Sequence, residues 1–344
     1  MRILALNGGS SSVKCRLDDI SGGTLPSAPP KPVWESHFDL QESAMETGLK
    51  SVPGKVDVVG HRIVHGGNLQ ETTVVTPEVR AAIAREAEMA PGHNRFELAM
   101  IDAARSAFGV PQIAVFDAAF HATLSPAAYV YPGPYEWLEQ GIRRYGFHGI
   151  SHQYSARRAS EILGREPLRL VTCHLGNGAS LCAVRDGRSV DTTMGFTPLE
   201  GLMMGTRSGS IDPAILIYLM RHRGRTADQL DGMLNRESGL LGVSGISGDM
   251  REILSAMEQG NERAKLAFDI YAHRLCRGIG EMAAVLGGVD GIVFTGGVGE
   301  NCAPLRELVT KQVAFLEARV LVIHAEEEWE IVRECYRTAV AKFS

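Results

Sequence analysis

The sequence predicts two related α/β domains, each a sheet flanked by helices. A length of 344 residues is ordinary for two domains and long for one. Short apolar runs of strand length alternate with helix-length segments through both halves. A plan also recurs: Asn7-Gly-Gly-Ser-Ser-Ser and Gly176-Asn-Gly-Ala-Ser hold the same place in two strand–turn–strand segments about 170 residues apart.

Residues 2–6 are apolar, the next six turn through glycine and serine, and residues 13–17 alternate. That pattern predicts a β-hairpin with a glycine–serine tip. Four prolines make residues 21–32 a loop. Residues 56–60 are a strand candidate leading into His61-Arg-Ile-Val-His-Gly-Gly67. Residues 77–90 and 95–108 read as helices, and 112–116 as a buried strand ending at Asp117. In the second half, 168–173 and 181–184 read as strands around the glycine turn His174-Leu-Gly-Asn-Gly-Ala-Ser180. Helices are expected over 213–223, 226–237 and 261–287. A strand over 291–294 runs into the glycine turn Thr295-Gly-Gly-Val-Gly-Glu300. A helix over 304–316, a strand over 320–323 and a helix from 327 to about 340 complete the chain. Glycine turns at strand ends are expected to face one cleft, where ligands of open α/β sheets sit.

Composition narrows the function. A net charge of -5 and a pI near 6.1 argue against nucleic acid or an anionic membrane as general partners. No apolar run approaches the ~20 residues of a membrane span, and the N-terminus lacks the pattern of a signal peptide. The six cysteines include no Cys-x-x-Cys. Reduced thiols in a cytoplasmic protein are the expectation.

Asn7-Gly-Gly-Ser-Ser-Ser-Val-Lys14 has backbone amides suited to phosphate oxygens, without Walker spacing. Gly176-Asn177-Gly178, Thr295 to Asn301 and Ser247-Gly-Asp-Met-Arg251 add further turns. Together they point to a nucleotide cradle, and the absence of Gly-x-Gly-x-x-Gly leaves dinucleotide binding unsupported. The segment 191–209 has Arg207 as its one cation, set among glycines and hydroxyls. That setting suits bidentate recognition of phosphate or carboxylate, although a helix cap or a distant acid could equally engage it. His61/His65 and His148/His152 are spaced by four, but His-Glu-x-x-His is absent and core histidines are the plainer reading. Asp117 at a strand end suits acid/base or metal work, or a helix N-cap. Glu326-Glu-Glu328 could ligate magnesium or simply favour a helix N-terminus.

The segments 7–14, 61–67, 115–121, 143–152, 174–180, 191–213, 244–251 and 294–301 together resemble the acetokinase family of the sugar-kinase/Hsp70/actin superfamily. The resemblance implies two actin/Hsp70-like (ribonuclease H-like) domains with mixed sheets and a cleft between them. One covers 1–116 with a C-terminal helix 326–344; the other, which binds nucleotide, covers 117–325. It implies reversible transfer of the ATP γ-phosphoryl group to acetate, giving acetyl phosphate and ADP, by a cytoplasmic homodimer that uses Mg²⁺ or Mn²⁺. Arg62 and Arg207 then hold the carboxylate and the phosphoryl group, with His148 and Asn177 supporting the transition state and Asp117 as the acid/base residue. Val64, Phe147 and Pro198 line the acyl pocket. Asn7 and Glu327 place the metal, Glu326 being the other possibility. ATP contacts fall to Lys14, His174, Leu175, Gly176, Asn177, Gly178, Asp249, Met250, Arg251, Gly297, Val298, Gly299, Glu300 and Asn301.

The chain departs from the family pattern at several places, among them His324-Ala-Glu-Glu-Glu328, Ile150 and Ser210. A segment before Arg319 is missing. Within Met89-Ala-Pro-Gly-His-Asn-Arg95, Gly92 replaces a leucine of the acyl pocket. Each CH₂ that could fill the freed space is worth ~0.8 kcal/mol, so propionate or butyrate is an alternative acceptor.

Overall fold

The computed structural model describes residues 1–9, 12–21, 23–39, 42–86, 91–164 and 168–343. It divides into two compact units. Unit 1 comprises Met1–Ala122, His148–Tyr154 and Glu326–Ser344; unit 2 comprises Thr123–Phe147 and Ser155–Ala325. The sequence drew its division at residue 116, whereas here the first run continues to Ala122 and residues 148–154 join it.

Unit 1 is built on strands β1 (Arg2–Gly8), β2 (Ser12–Asp19), β3 (Trp34–Asp39), β4 (Val58–Ile63), β5 (Thr73–Val74) and β6 (Gln112–Phe116), in the order β3-β2-β1-β4-β6-β5. The hairpin β1–β2 is antiparallel, with β4 parallel to β1 and β6 parallel to β4. Its expected tip, at Ser10 and Ser11, lies outside the described residues. One sheet face carries Leu4, Leu6, Val13 and Val59, packed with Met45 and Leu49 of the helix Glu42–Lys50 and Met100 of the helix Pro91–Phe108. Ile63, Ala114 and Phe116 extend that face with Ile83 and Ile101. Because side chains alternate along a strand, Asn7, Gly60 and Arg62 must take the opposite face. The helix Glu327–Phe343 covers that face: a Cβ on Gly60 would stand 2.3 Å from Cys335 Sγ.

Unit 2 repeats the plan with β7 (Arg169–Leu175), β8 (Ala179–Arg185), β9 (Arg188–Thr192), β10 (Gly291–Thr295) and β11 (Arg319–Val322), ordered β11-β10-β7-β8-β9. The hairpin β7–β8 is antiparallel, β9 is antiparallel to β8, and β10 and β11 run parallel outward from β7. Directions and order match β3-β2-β1-β4-β6 strand for strand. The recurring glycine hairpins are therefore the opening strands of two like sheets. The helix Glu262–Leu286 crosses β8 closely, since a Cβ on Gly278 would fall 2.6 Å from Leu181 Cδ1.

Two segments differ from expectation. Residues 148–152, read as poorly helical because of their glycine, open the helix Gly149–Leu163, with His148 entering it at φ 57°. The glycine turn after β10 closes into the short helix Gly296–Asn301, with Gly296 at φ 78° supplying the left-handed entry. Among the described residues no helix is long and apolar enough to cross a membrane. All six cysteines are free thiols.

Candidate active site

In unit 1 the alternation of β1 and β4 brings Asn7 and Arg62 to one side of the sheet. Arg62 donates from Nε and Nη2 to Asp117 Oδ2 at 3.1 and 2.6 Å, and from Nη1 to Gly8 O and Asn7 Oδ1 at 3.2 and 3.3 Å. Asp117, 1% exposed, arrives there because it directly follows β6, and its own N–H donates to Ile63 O. Burial opposes the Arg62 charge, yet the Asp117 and Glu327 carboxylates outweigh it and raise the guanidinium pKa. Asp117 also anchors the next element. Gly149 N–H donates to Asp117 O at 3.0 Å, and a Cβ on Gly149 would lie 2.0 Å from that oxygen. Only glycine fits there, so His148 is carried into unit 1 beside Asp117's main chain.

Asn7 reaches the start of the final helix. Its Nδ2 donates to Glu327 Oε2 at 2.9 Å and to Glu328 Oε1 at 2.7 Å. Glu326 turns elsewhere, accepting from Arg16 Nη1 at 3.0 Å. Of the three consecutive glutamates, the pair against Asn7 is thus Glu327 and Glu328. The sequence weighed Glu327 against Glu326 for the metal and did not single out Glu328. Its only signal was position in the run, which cannot say which carboxylates face the sheet. Among the described residues no group of three or more His, Cys, Asp or Glu could hold a metal alone.

Val64 follows β4, is 4% exposed, and donates its N–H to Glu97 Oε1 at 3.0 Å. Glu97 was not singled out in the sequence. A signal was available: it shares the buried stripe of its helix with Met100, Ile101 and Ala104, where a carboxylate is out of place. The side-chain surroundings of Gly92 lie outside the described residues. Lys14 is exposed on β2, opposite Asn7 in the hairpin register.

In unit 2 Arg207 is half-buried, and burial lowers its pKa. Its Nη1 donates to Pro198 O at 2.7 Å, and among the described residues no carboxylate pairs with it. Among the described residues neither a helix end nor a distant acid takes up this guanidinium. Phe147, which directly precedes His148 in the chain, is buried, at 1% exposure. The turn after β7 is closed by Gly176 N–H donating to Gly178 O at 2.8 Å, and Gly205 N–H donates to Asn177 O at 3.1 Å. A Cβ on Gly205 would stand 2.4 Å from Asn177 Oδ1, so a glycine at 205 lets this segment approach the turn. His174 and Leu175 end β7, with His174 in register with Thr295 of β10. Both glycine turns therefore leave neighbouring strands at the same end of the sheet.

The remaining nucleotide candidates divide by role. Asp249 caps the helix Met250–Glu258, accepting from Arg251 N–H, and also pairs with the exposed Arg251 side chain. Met250 is core, 3% exposed. Gly297 has open space where a Cβ would be. Val298 and Gly299 continue the short helix, and Asn301 Nδ2 donates back to Gly297 O at 2.8 Å. Glu300 Oε1 accepts from Gly296 and Ala325 N–H, and Oε2 meets His324 Nδ1 at 2.5 Å. Glu300 thus ties the loop together. His61 and His65 have separate partners. His61 Nε2 meets Gln112 Oε1 at 2.6 Å inside the sheet, while His65 Nδ1 accepts from Gly67 N–H.

Comparison with known proteins gives the family. Residues 37–331 match the family model described as the acetokinase family. An acetate kinase of Gloeobacter violaceus is 50% identical over 401 residues, covering 98% of this chain and 99% of the relative. That alignment is longer than the 344 residues here, so the relative carries internal segments this chain lacks. The crystal structure of Porphyromonas gingivalis acetate kinase superposes with a TM-score of 0.86 at 36% identity, covering 98% and 99% of the two chains. That of a propionate kinase from Francisella tularensis gives 0.87 at 32% identity, with the same coverage. Matched by the family model over most of its length and by relatives of this identity from end to end, the chain belongs to the acetokinase family.

Proposed function

We propose that this chain is a phosphotransferase with a carboxyl acceptor, moving the ATP γ-phosphoryl group reversibly to acetate to give acetyl phosphate and ADP. The observation that carries this reading is 50% identity, over 98% of the chain, to a relative named acetate kinase. A carboxylate is already nucleophilic, so the chemistry needs no strong base. The barrier lies in bringing two anions together, and positioned positive charge lowers it.

In unit 1, Arg62 takes the acceptor carboxylate and Val64 its methyl group. The Arg62–Asp117 ion pair supports an orienting role for Asp117, in addition to the acid/base role its position suggests. His148 donates a hydrogen bond to the transferring group. In unit 2, Arg207 and Asn177 stabilise a phosphoryl group, Phe147 and Pro198 offer apolar surface to an acyl chain, and the glycine turns and Asp249–Arg251 segment hold ATP; Lys14 is a further candidate for ATP contact. Glu327 and Glu328, hard oxygen donors oriented by Asn7, suit Mg²⁺, which is commonly held by one or two carboxylates plus waters and phosphates. When bound, Mg²⁺ neutralises developing charge on the phosphate oxygens. The setting is cytoplasmic, consistent with free thiols, five of the six buried.

The test is a hydroxylamine trap with Mg-ATP and acetate, propionate or butyrate. Acetohydroxamate should dominate. Absence of hydroxamate with every acid would remove the acyl-phosphate reaction altogether.

A further inference from the structure

Glu97 is a carboxyl group that the mechanism above does not use. It is 4% exposed. Oε1 accepts the Val64 N–H at 3.0 Å, two residues from Arg62. Oε2 is buried and has no hydrogen-bond partner among the described residues. An ionised carboxylate left half-bonded in such a place is costly, whereas a neutral acid is tolerated.

We propose that Glu97 is a positioning residue that sets affinity for the carboxylate acceptor: as a neutral acid it fixes the Val64 main chain beside Arg62 without adding negative charge there, and as an anion it repels the acceptor. The inference rests on the reading of Arg62 and Val64 as acceptor residues. Burial pushes the Glu97 carboxyl up to about 8; the Val64 N–H and Arg62 work against this, and Asp117 adds to it. The charged groups acting on it among the described residues are Arg62 from β4 and Asp117 from the end of β6. None of them belongs to β1 or to the helices Glu42–Lys50 and Pro77–Glu86, which also pack on its helix. The sign follows. At neutral pH the group is largely protonated, and it becomes an anion as pH rises through about 8. Acetate is ionised throughout, so only the enzyme side of the encounter changes.

The experiment measures KM for acetate and kcat from pH 6.5 to 9 at saturating Mg-ATP, by ADP release, on the full chain. For the wild type, KM should be level below pH 7.5 and rise toward tenfold per pH unit above 8, with kcat changing less than threefold. In Glu97→Gln, whose amide stays neutral and whose carbonyl can still accept from Val64, KM should vary less than threefold across the range. A Glu97→Gln profile that rises like the wild type overturns the proposal. So does a level wild-type profile, which decides the matter even if the variant fails to fold. Arg62→Ala is the separate arm and should raise the acetate KM at least tenfold at pH 7. An unchanged KM there overturns the acceptor-site reading itself, and the inference with it.

Discussion

Two arginines sit in opposite electrostatic situations, and this separates their mutant phenotypes. Arg62 is paired with Asp117 at 2.6 Å and bonded to Asn7 and Gly8. Removing it strands a buried carboxylate, a change that costs about 3–5 kcal/mol. Arg62→Ala should therefore lower both the melting temperature and activity. Arg207 has a single carbonyl partner, Pro198 O, and no counter-charge among the described residues. A half-buried cation left so bare is poised for an incoming anion. Arg207→Ala should lower kcat roughly 10²–10⁴-fold, the scale of lost transition-state contacts, while leaving the melting temperature equal or higher. A full-length Arg207→Ala enzyme that melts well below the wild type would show the guanidinium to be structural. Arg207→Lys should not rescue, because an ammonium cannot form the two-pronged contact.

At the scale of elements, close approaches of backbone decide where the site residues stand. Gly149 lies against Asp117 O, where a Cβ would sit at 2.0 Å. Gly280, in the helix Glu262–Leu286, has nothing within 4 Å of the same position. Gly280→Ala should therefore stabilise by about 0.4–1 kcal/mol, through reduced freedom of the unfolded chain. Gly149→Ala should destabilise and also cut kcat, since it pushes the His148 segment away from Asp117. Equal thermal shifts in the two variants would contradict this account. A second element has unfinished packing. The helix Ala214–Arg223 has no buried residue, and Ile215, Ile217, Tyr218 and Met220 are 47–50% exposed. Apolar surface gathered in this way marks an interaction face. It supports the homodimer proposed from the family, with a second copy covering it. Light scattering should give twice the 37.2 kDa chain mass, and Ile217→Glu should shift it to the monomer; a wild type already monomeric at micromolar concentration would rule this out.

For the whole molecule, three buried groups shape the pH dependence of stability. Burial lowers the pKa of His61 and His65 from 6.5 to about 4, a hydrogen bond from the His61 ring to the Gln112 amide oxygen partly opposing this at His61. Both are neutral in the fold, so the unfolded chain binds protons more readily and stability is lost as pH falls from 6.5 to 4. Glu97 has the reverse effect. Its pKa rises from 4.5 to about 8, so stability is lost as pH climbs between those values. Each group contributes a slope of about 1.4 kcal/mol per pH unit within its window. Two histidines outweigh one glutamate below pH 6.5, and above it the glutamate acts alone. Melting temperature should therefore peak near pH 6.5 and decline toward 8. Glu97→Gln should flatten the alkaline side only, and a flat wild-type profile between 6.5 and 8 would refute the neutral burial of Glu97.

The amino-acid sequence by itself determined the alternation of strands and helices, the paired glycine hairpins and the family, because these are local periodicities and contiguous motifs. It also marked Asp117, at a strand end, and Arg207, in a glycine-rich stretch, as chemistry-bearing, while Arg62 and Asn177 came from the family resemblance. What it left open depended on partners far away in the chain. Only the tertiary structure assigned Glu326 to Arg16 and Glu327 with Glu328 to Asn7, contacts separated by more than 300 positions. Only packing showed that residues 148–152 open a helix, because Gly149 is placed there by Asp117 O and not by helix propensity. Glu97 belongs to the same group: its charge state follows from burial against Val64 and Arg62, and desolvation is a property of surroundings that no single segment encodes.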